Sequence, residues 1–116
     1  TFVRISISNL FKPSNRLILT KEIKEVTKEA LKTPLQGIVA ALEGMKNRPD
    51  RETLLSETSF KKMMIIGKED PALDYNSLIE QIQNSNINAV EFPDGHMSHI
   101  ENIKEFTYNI LHFIEK

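Results

Sequence analysis

Two short stretches concentrate the residues able to move a proton. Gly67-Lys68-Glu69-Asp70-Pro71 ends in a carboxylate just before a proline, and Asp94-Gly95-His96-Met97 carries an imidazole behind a glycine. A carboxylate that accepts the imidazole Nδ1–H fixes the tautomer and stabilises the imidazolium formed when the other nitrogen takes a proton. His96 is therefore the candidate base and Asp70 its candidate acid. Plainer roles exist for both: Asp70 can cap the helix after Pro71, and His96 can be an ordinary turn residue. Glu69 is an alternative acid. His96, His99 and Glu101 also invite comparison with a metal set, but the His-Glu-x-x-His pattern of helical zinc sites is absent. No metal and no cofactor are expected. Glu101 is assigned to capping or anchoring the last helix, and His99 and His112 to structural or exposed positions. Met45, Met63 and Met64 read as core filler, whereas Met97, beside the base, is a candidate pocket wall.

For Asp70 and His96 to meet, the chain must bring the ends of two strands together. Met63 to Ile66 is a continuous apolar run ending at Gly67, as expected of a strand buried on both faces of a parallel sheet. Tyr75, Leu78, Ile79 and Ile82 then give a helical stripe, and Asn84-Ser85-Asn86 turns the chain into a second strand over Asn88 to Phe92. Strand, helix, strand predicts a parallel pair joined by a right-handed crossover. Paired strands lie about 4.8 Å apart, and loops leaving their C-terminal ends form the usual binding crevice. A final helix is expected to bury Ile103, Phe106, Ile110, Phe113 and Ile114.

Upstream the pattern is helical. Val3, Ile7, Leu10 and Phe11 fit one helical face, although Val3, Ile5 and Ile7 also alternate like a strand; helix is preferred. Leu19, Ile23, Val26 and Ala30 mark an amphipathic helix ending near Lys32. Thr33-Pro34-Leu35-Gln36 predicts a capping box with Pro34 at the first helical position. The following helix would bury Leu35, Ile38, Val39, Leu42 and Met45. A short turn of helix over Arg51 to Leu55, capped by Asp50, completes this part. The basic pairs between Lys21 and Lys32 alternate with Glu22, Glu25 and Glu29 and describe a solvated face.

Composition removes several function classes. With 15 Lys and Arg against 16 Asp and Glu, the 116-residue chain carries a net charge of −1, so no strong field draws it to nucleic acid or an anionic membrane. The absence of cysteine excludes disulfides, thiolate metal sites and cysteine nucleophiles together. No apolar run has the length of a membrane span or signal-peptide body, and the expected location is cytoplasmic. A first residue of Thr1 in place of Met suggests a processed or truncated product.

The two loops resemble a known family. Met64-Ile65-Ile66-Gly67-Lys68-Glu69-Asp70-Pro71 is similar to the acid-bearing strand and turn of the α/β-hydrolases. Gly95-His96-Met97-Ser98-His99-Ile100-Glu101 is similar to their histidine loop, in which a downstream Glu is common. Ala41-Leu42-Glu43-Gly44-Met45-Lys46-Asn47-Arg48-Pro49-Asp50-Arg51 resembles the segment that leaves the helical cap in small bacterial members. The likeness runs from about Ala30 to the end. It implies an α/β fold in which residues 1–58 are helical cap and residues 59–116 are the C-terminal part of the core. It also implies a serine hydrolase of esters or related small acyl compounds, in which Asp70 and His96 complete a Ser, Asp, His order. Leu10, Phe11, Leu35 and Leu42 would then roof the substrate pocket. One departure is large: neither Gly-x-Ser-x-Gly nor the family's oxyanion loop occurs in the sequence. The nucleophile is expected outside these residues, with the chain inactive alone and either self-associating or bound to the missing half. A non-catalytic member of the fold and a dehalogenase-like relative with an Asp nucleophile remain the alternatives.

Overall fold

The computed structural model describes residues 1–116 as a mixed α/β structure with seven helices and a two-stranded parallel sheet. Helix α1 (Phe2–Ser8) leads through a 3-10 turn (Pro13–Asn15) to α2 (Thr20–Ala30), α3 (Leu35–Asn47) and α4 (Thr53–Glu57). Then come β1 (Lys62–Gly67), α5 (Tyr75–Ile82), β2 (Ile87–Phe92), α6 (Ser98–Glu101) and α7 (Ile103–Glu115). No helix is long and apolar enough to cross a membrane.

The helical reading of the first residues is the observed one: Val3, Ile7 and Leu10 are half-buried, Phe11 is fully enclosed, and the strand-phase residue Ile5 is exposed. Helix α1 packs on α2, whose Leu19, Ile23, Val26 and Ala30 are all half-buried beside the buried Thr27. Helix α3 departs from expectation. Pro34 is itself the residue before the helix, without a side-chain cap, so the capping box does not form. Leu35, Val39, Leu42 and Met45 are exposed, and only Ile38 of the expected stripe is half-buried. Periodicity marks an apolar face, but here no other element covers it. Helix α4 begins two residues later than expected, because the Asp50 carboxylate accepts from Glu52 N (2.9 Å) and holds a turn ahead of the helix.

Strand β1 pairs with β2 in parallel, in register from Lys62 with Ile87 to Gly67 with Phe92. Helix α5 makes the crossover, and its Asp74 caps it by accepting from Ser77 N at 2.9 Å. Burial on both faces, expected for these strands, holds only at their C-terminal ends: Ile66, Gly67 and Phe92 are buried, whereas Asn88, Ala89 and Glu91 are exposed. In α7, Phe106, Ile110 and Phe113 turn inward and Ile103 and Ile114 do not. The tightest packing therefore gathers Phe11, Ile66 and Phe92, with the enclosed strand ends directly beneath the two proton-carrying loops.

Candidate active site

Backbone contact between the two loops sets the geometry. Past Gly67, Lys68 N donates to Phe92 O (2.8 Å) and Glu69 N to Asp94 O (3.0 Å), continuing the strand pairing into the loops. A Cβ on Gly67 would lie 2.0 Å from Gly95 O, and one on Gly95 would lie 2.5 Å from Lys12 N and 2.9 Å from Leu10 O. Neither glycine has a positive φ. Both are required by close approach, and without it the second loop would ride too high for its histidine to reach the first.

Asp70 Oδ2 lies 2.8 Å from His96 Nδ1. Its Oδ1 accepts from Ala72 N (2.8 Å) and Leu73 N (3.1 Å), so the carboxylate fastens its own turn while facing the imidazole. Asp74 rather than Asp70 caps α5. The Asp70 side chain is 4% exposed and that of His96 39%. An ionised carboxylate only accepts, so Nδ1 carries the proton and Nε2 presents a lone pair. Nε2 has no partner within the chain. A buried acid, an oriented imidazole and a free outer nitrogen can together take up and return a proton.

The histidine loop is held from behind. His96 N donates to Leu10 O (2.8 Å), and Glu101 Oε2 accepts from Gly95 N (3.0 Å) and Met97 N (3.1 Å). Glu101 Oε1 accepts from Lys12 N (2.8 Å) and from Asn15 Nδ2 (3.1 Å). Asn15 Nδ2 also reaches Oδ1 of the buried Asp94 at 3.1 Å. Glu101 thus does not cap the last helix, as the sequence suggested; its acceptors face the histidine loop and the segment after α1. On the outer side, the Tyr75 hydroxyl donates to Glu91, which also faces Lys68 Nζ at 3.6 Å. The hydrogen bond to the Glu91 carboxylate, with lesser desolvation and repulsion by the same charge, pushes the Tyr75 pKa above its ordinary 10.0.

Asp70 and His96 border a cavity of about 250 Å³ with Met64, Ile65, Gly67, Leu73, Leu78, Gly95 and Ser98. Of these, Leu73, Leu78 and Ser98 had no sequence signal separating pocket wall from core. The expected pocket residues are not there. Phe11 is 0% exposed and belongs to the core, and Leu10 contributes its carbonyl to His96 N. Met97 is half-buried outside the cavity lining, and Leu35 and Leu42 stand exposed on α3. Glu69 is exposed and donates only its backbone N–H, so it does not act as the acid in this arrangement. His99 lies against Phe106 and His112 stacks on Tyr108. No three His, Asp or Glu side chains converge as metal ligands. A larger polar crevice of about 480 Å³, bordered by Asp50, Ser56 and Glu80 among others, contains no histidine. No family model and no curated protein matches this chain.

Proposed function

We propose that this chain is the acid- and base-bearing part of an α/β-hydrolase, a serine hydrolase of carboxylic esters or related small acyl compounds. The 2.8 Å contact between Asp70 Oδ2 and His96 Nδ1, made by loops leaving neighbouring parallel strands, carries this reading. In it a serine on another segment attacks the acyl carbon while His96 Nε2 takes its proton and then returns it to the leaving alkoxide. Water repeats the sequence and releases the acid. Asp70 holds the tautomer and stabilises the imidazolium. The oxyanion donors come with the nucleophile, which is why base and acid alone do not suffice.

The test uses a longer polypeptide containing these residues and an upstream nucleophile. Covalent labelling by a fluorophosphonate at a serine, together with a loss of about 10³-fold or more in esterase kcat/KM for His96→Ala, is the expected result. The 116-residue chain alone is expected to stay at a histidine-dependent background. Serine-type turnover by that chain would misplace the site. Capture of an alkyl halide on an upstream Asp would indicate the dehalogenase-like alternative, and ligand binding without turnover the non-catalytic one.

A further inference from the structure

We propose that Glu101 is the positioning residue for His96, acting through the loop backbone, which it ties to the segment after α1; this rests on His96 being the base. Three consecutive N–H groups, those of Gly95, His96 and Met97, are all engaged. The outer two go to Glu101 Oε2 and the middle one to Leu10 O. The loop is pulled back on both sides of His96, and its imidazole is left to meet Asp70. Leu10 O lies two residues before Lys12, whose N–H donates to Glu101 Oε1 alongside Asn15 Nδ2. One carboxylate therefore fastens the loop directly and also fastens the neighbourhood of Leu10 O, the acceptor of the middle N–H.

A simple helix-anchoring role does not account for this pattern. All four donors lie outside α7, and the α7 turn begins with a bond from Phe106 N to Asn102 O. The role also calls for a charge. Four N–H groups converge on two oxygens, and an ionised carboxylate is the side chain that accepts at both. In Glu101→Gln the amide nitrogen would replace one of those oxygens and face two donors. Whichever way the amide turns, either the loop pair or the Lys12–Asn15 pair loses its acceptor.

The experiment reads the imidazole itself, on the 116-residue chain. Ring nitrogen shifts from ¹⁵N NMR report the tautomer of His96, and amide exchange reports Gly95, His96 and Met97. Wild type is expected to hold the Nδ1–H tautomer, and Asp70→Asn to lose it. Glu101→Gln is expected to release His96 into a tautomer mixture and to speed exchange of the three amides at least tenfold, while circular dichroism retains the helix content. In the longer hydrolase the same change should lower kcat about 10²-fold with little change in KM, as for a reacting group displaced by about 1 Å. A folded Glu101→Gln chain with an unchanged His96 tautomer would overturn the positioning role and leave the acid–base pair standing. A wild-type tautomer indifferent to Asp70→Asn would overturn the pair itself. Should Glu101→Gln not fold, Glu101→Asp, which keeps the charge but is too short to span both pairs, is read by the same two criteria.

Discussion

The two oxygens of Asp70 face different structures, Oδ1 the turn over Ala72 and Leu73 and Oδ2 the imidazole. Substitutions can separate these roles. Asp70→Asn keeps an acceptor for the turn but places an amide donor or a weaker acceptor at Nδ1. On the proposed function, a longer polypeptide that also carries the nucleophile should then lose about 10³- to 10⁴-fold in kcat, with stability lowered by less than about 1 kcal/mol. Asp70→Ala removes both partners and should cost about 2 kcal/mol in a denaturant melt. Gly67→Ala should cost about 3 kcal/mol, because its Cβ would meet backbone oxygens that no rotamer change can move. At Tyr75 the raised folded pKa means that the neutral hydroxyl is favoured by folding. Its contribution is present below the unfolded value of 10.0 and is lost as pH rises through the higher folded one. Tyr75→Phe should remove this alkaline component from a series of melting curves, by a small amount because solvent screens the interaction at the surface. Asp70 and His96 were legible in sequence because a strand run ending in a short loop locates a side chain well. The role of Glu101 was not, since two of its donors lie 86 and 89 residues away.

Helices α2 and α3 show what periodicity determines and what it leaves open. Both carry a regular apolar stripe, and the sequence expects both to be buried. The stripe of α2 is half-buried beside α1, whereas that of α3 is open, with Leu35 76% exposed. The difference lies in which elements the rest of the chain brings alongside, and local spacing contains no record of that. It also explains why Leu35 and Leu42, expected to roof the pocket, stand exposed on α3 away from the cavity at His96. Two outcomes follow at this scale. Leu42→Lys should change stability by less than about 0.5 kcal/mol, and Gly44→Ala, with no atom within 4 Å of the added Cβ, should raise it by about 0.5–1 kcal/mol. Thermal melts of the two variants against wild type decide both. A large loss in Leu42→Lys would mean that α3 is covered in solution.

As a whole the molecule is open. Its radius of gyration is 16.0 Å, against about 13.4 Å for a compact chain of this length, and it exposes 8537 Å² where about 6,400 Å² is usual for its mass. The excess, about 2,100 Å², is large enough for an extensive interface. Part of it lies at a groove of about 630 Å³ where Met63 and Ile65 of β1 meet Leu54, Phe60, Phe113 and Ile114. The isolated chain should bind an apolar dye and associate at micromolar concentration by light scattering, and Phe60→Lys should reduce both. A dye-silent monomer would mean that the N-terminal helices close over the groove. The clamp at Glu101 also has a consequence in time. During synthesis, Lys12 leaves the ribosome 89 residues ahead of its acceptor, so the histidine loop reaches its final shape only after Glu101 has emerged. Contacts that close so long a loop are late in folding. Asn15→Ala, which removes one of them, should accelerate unfolding in a stopped-flow series and leave the refolding rate nearly unchanged.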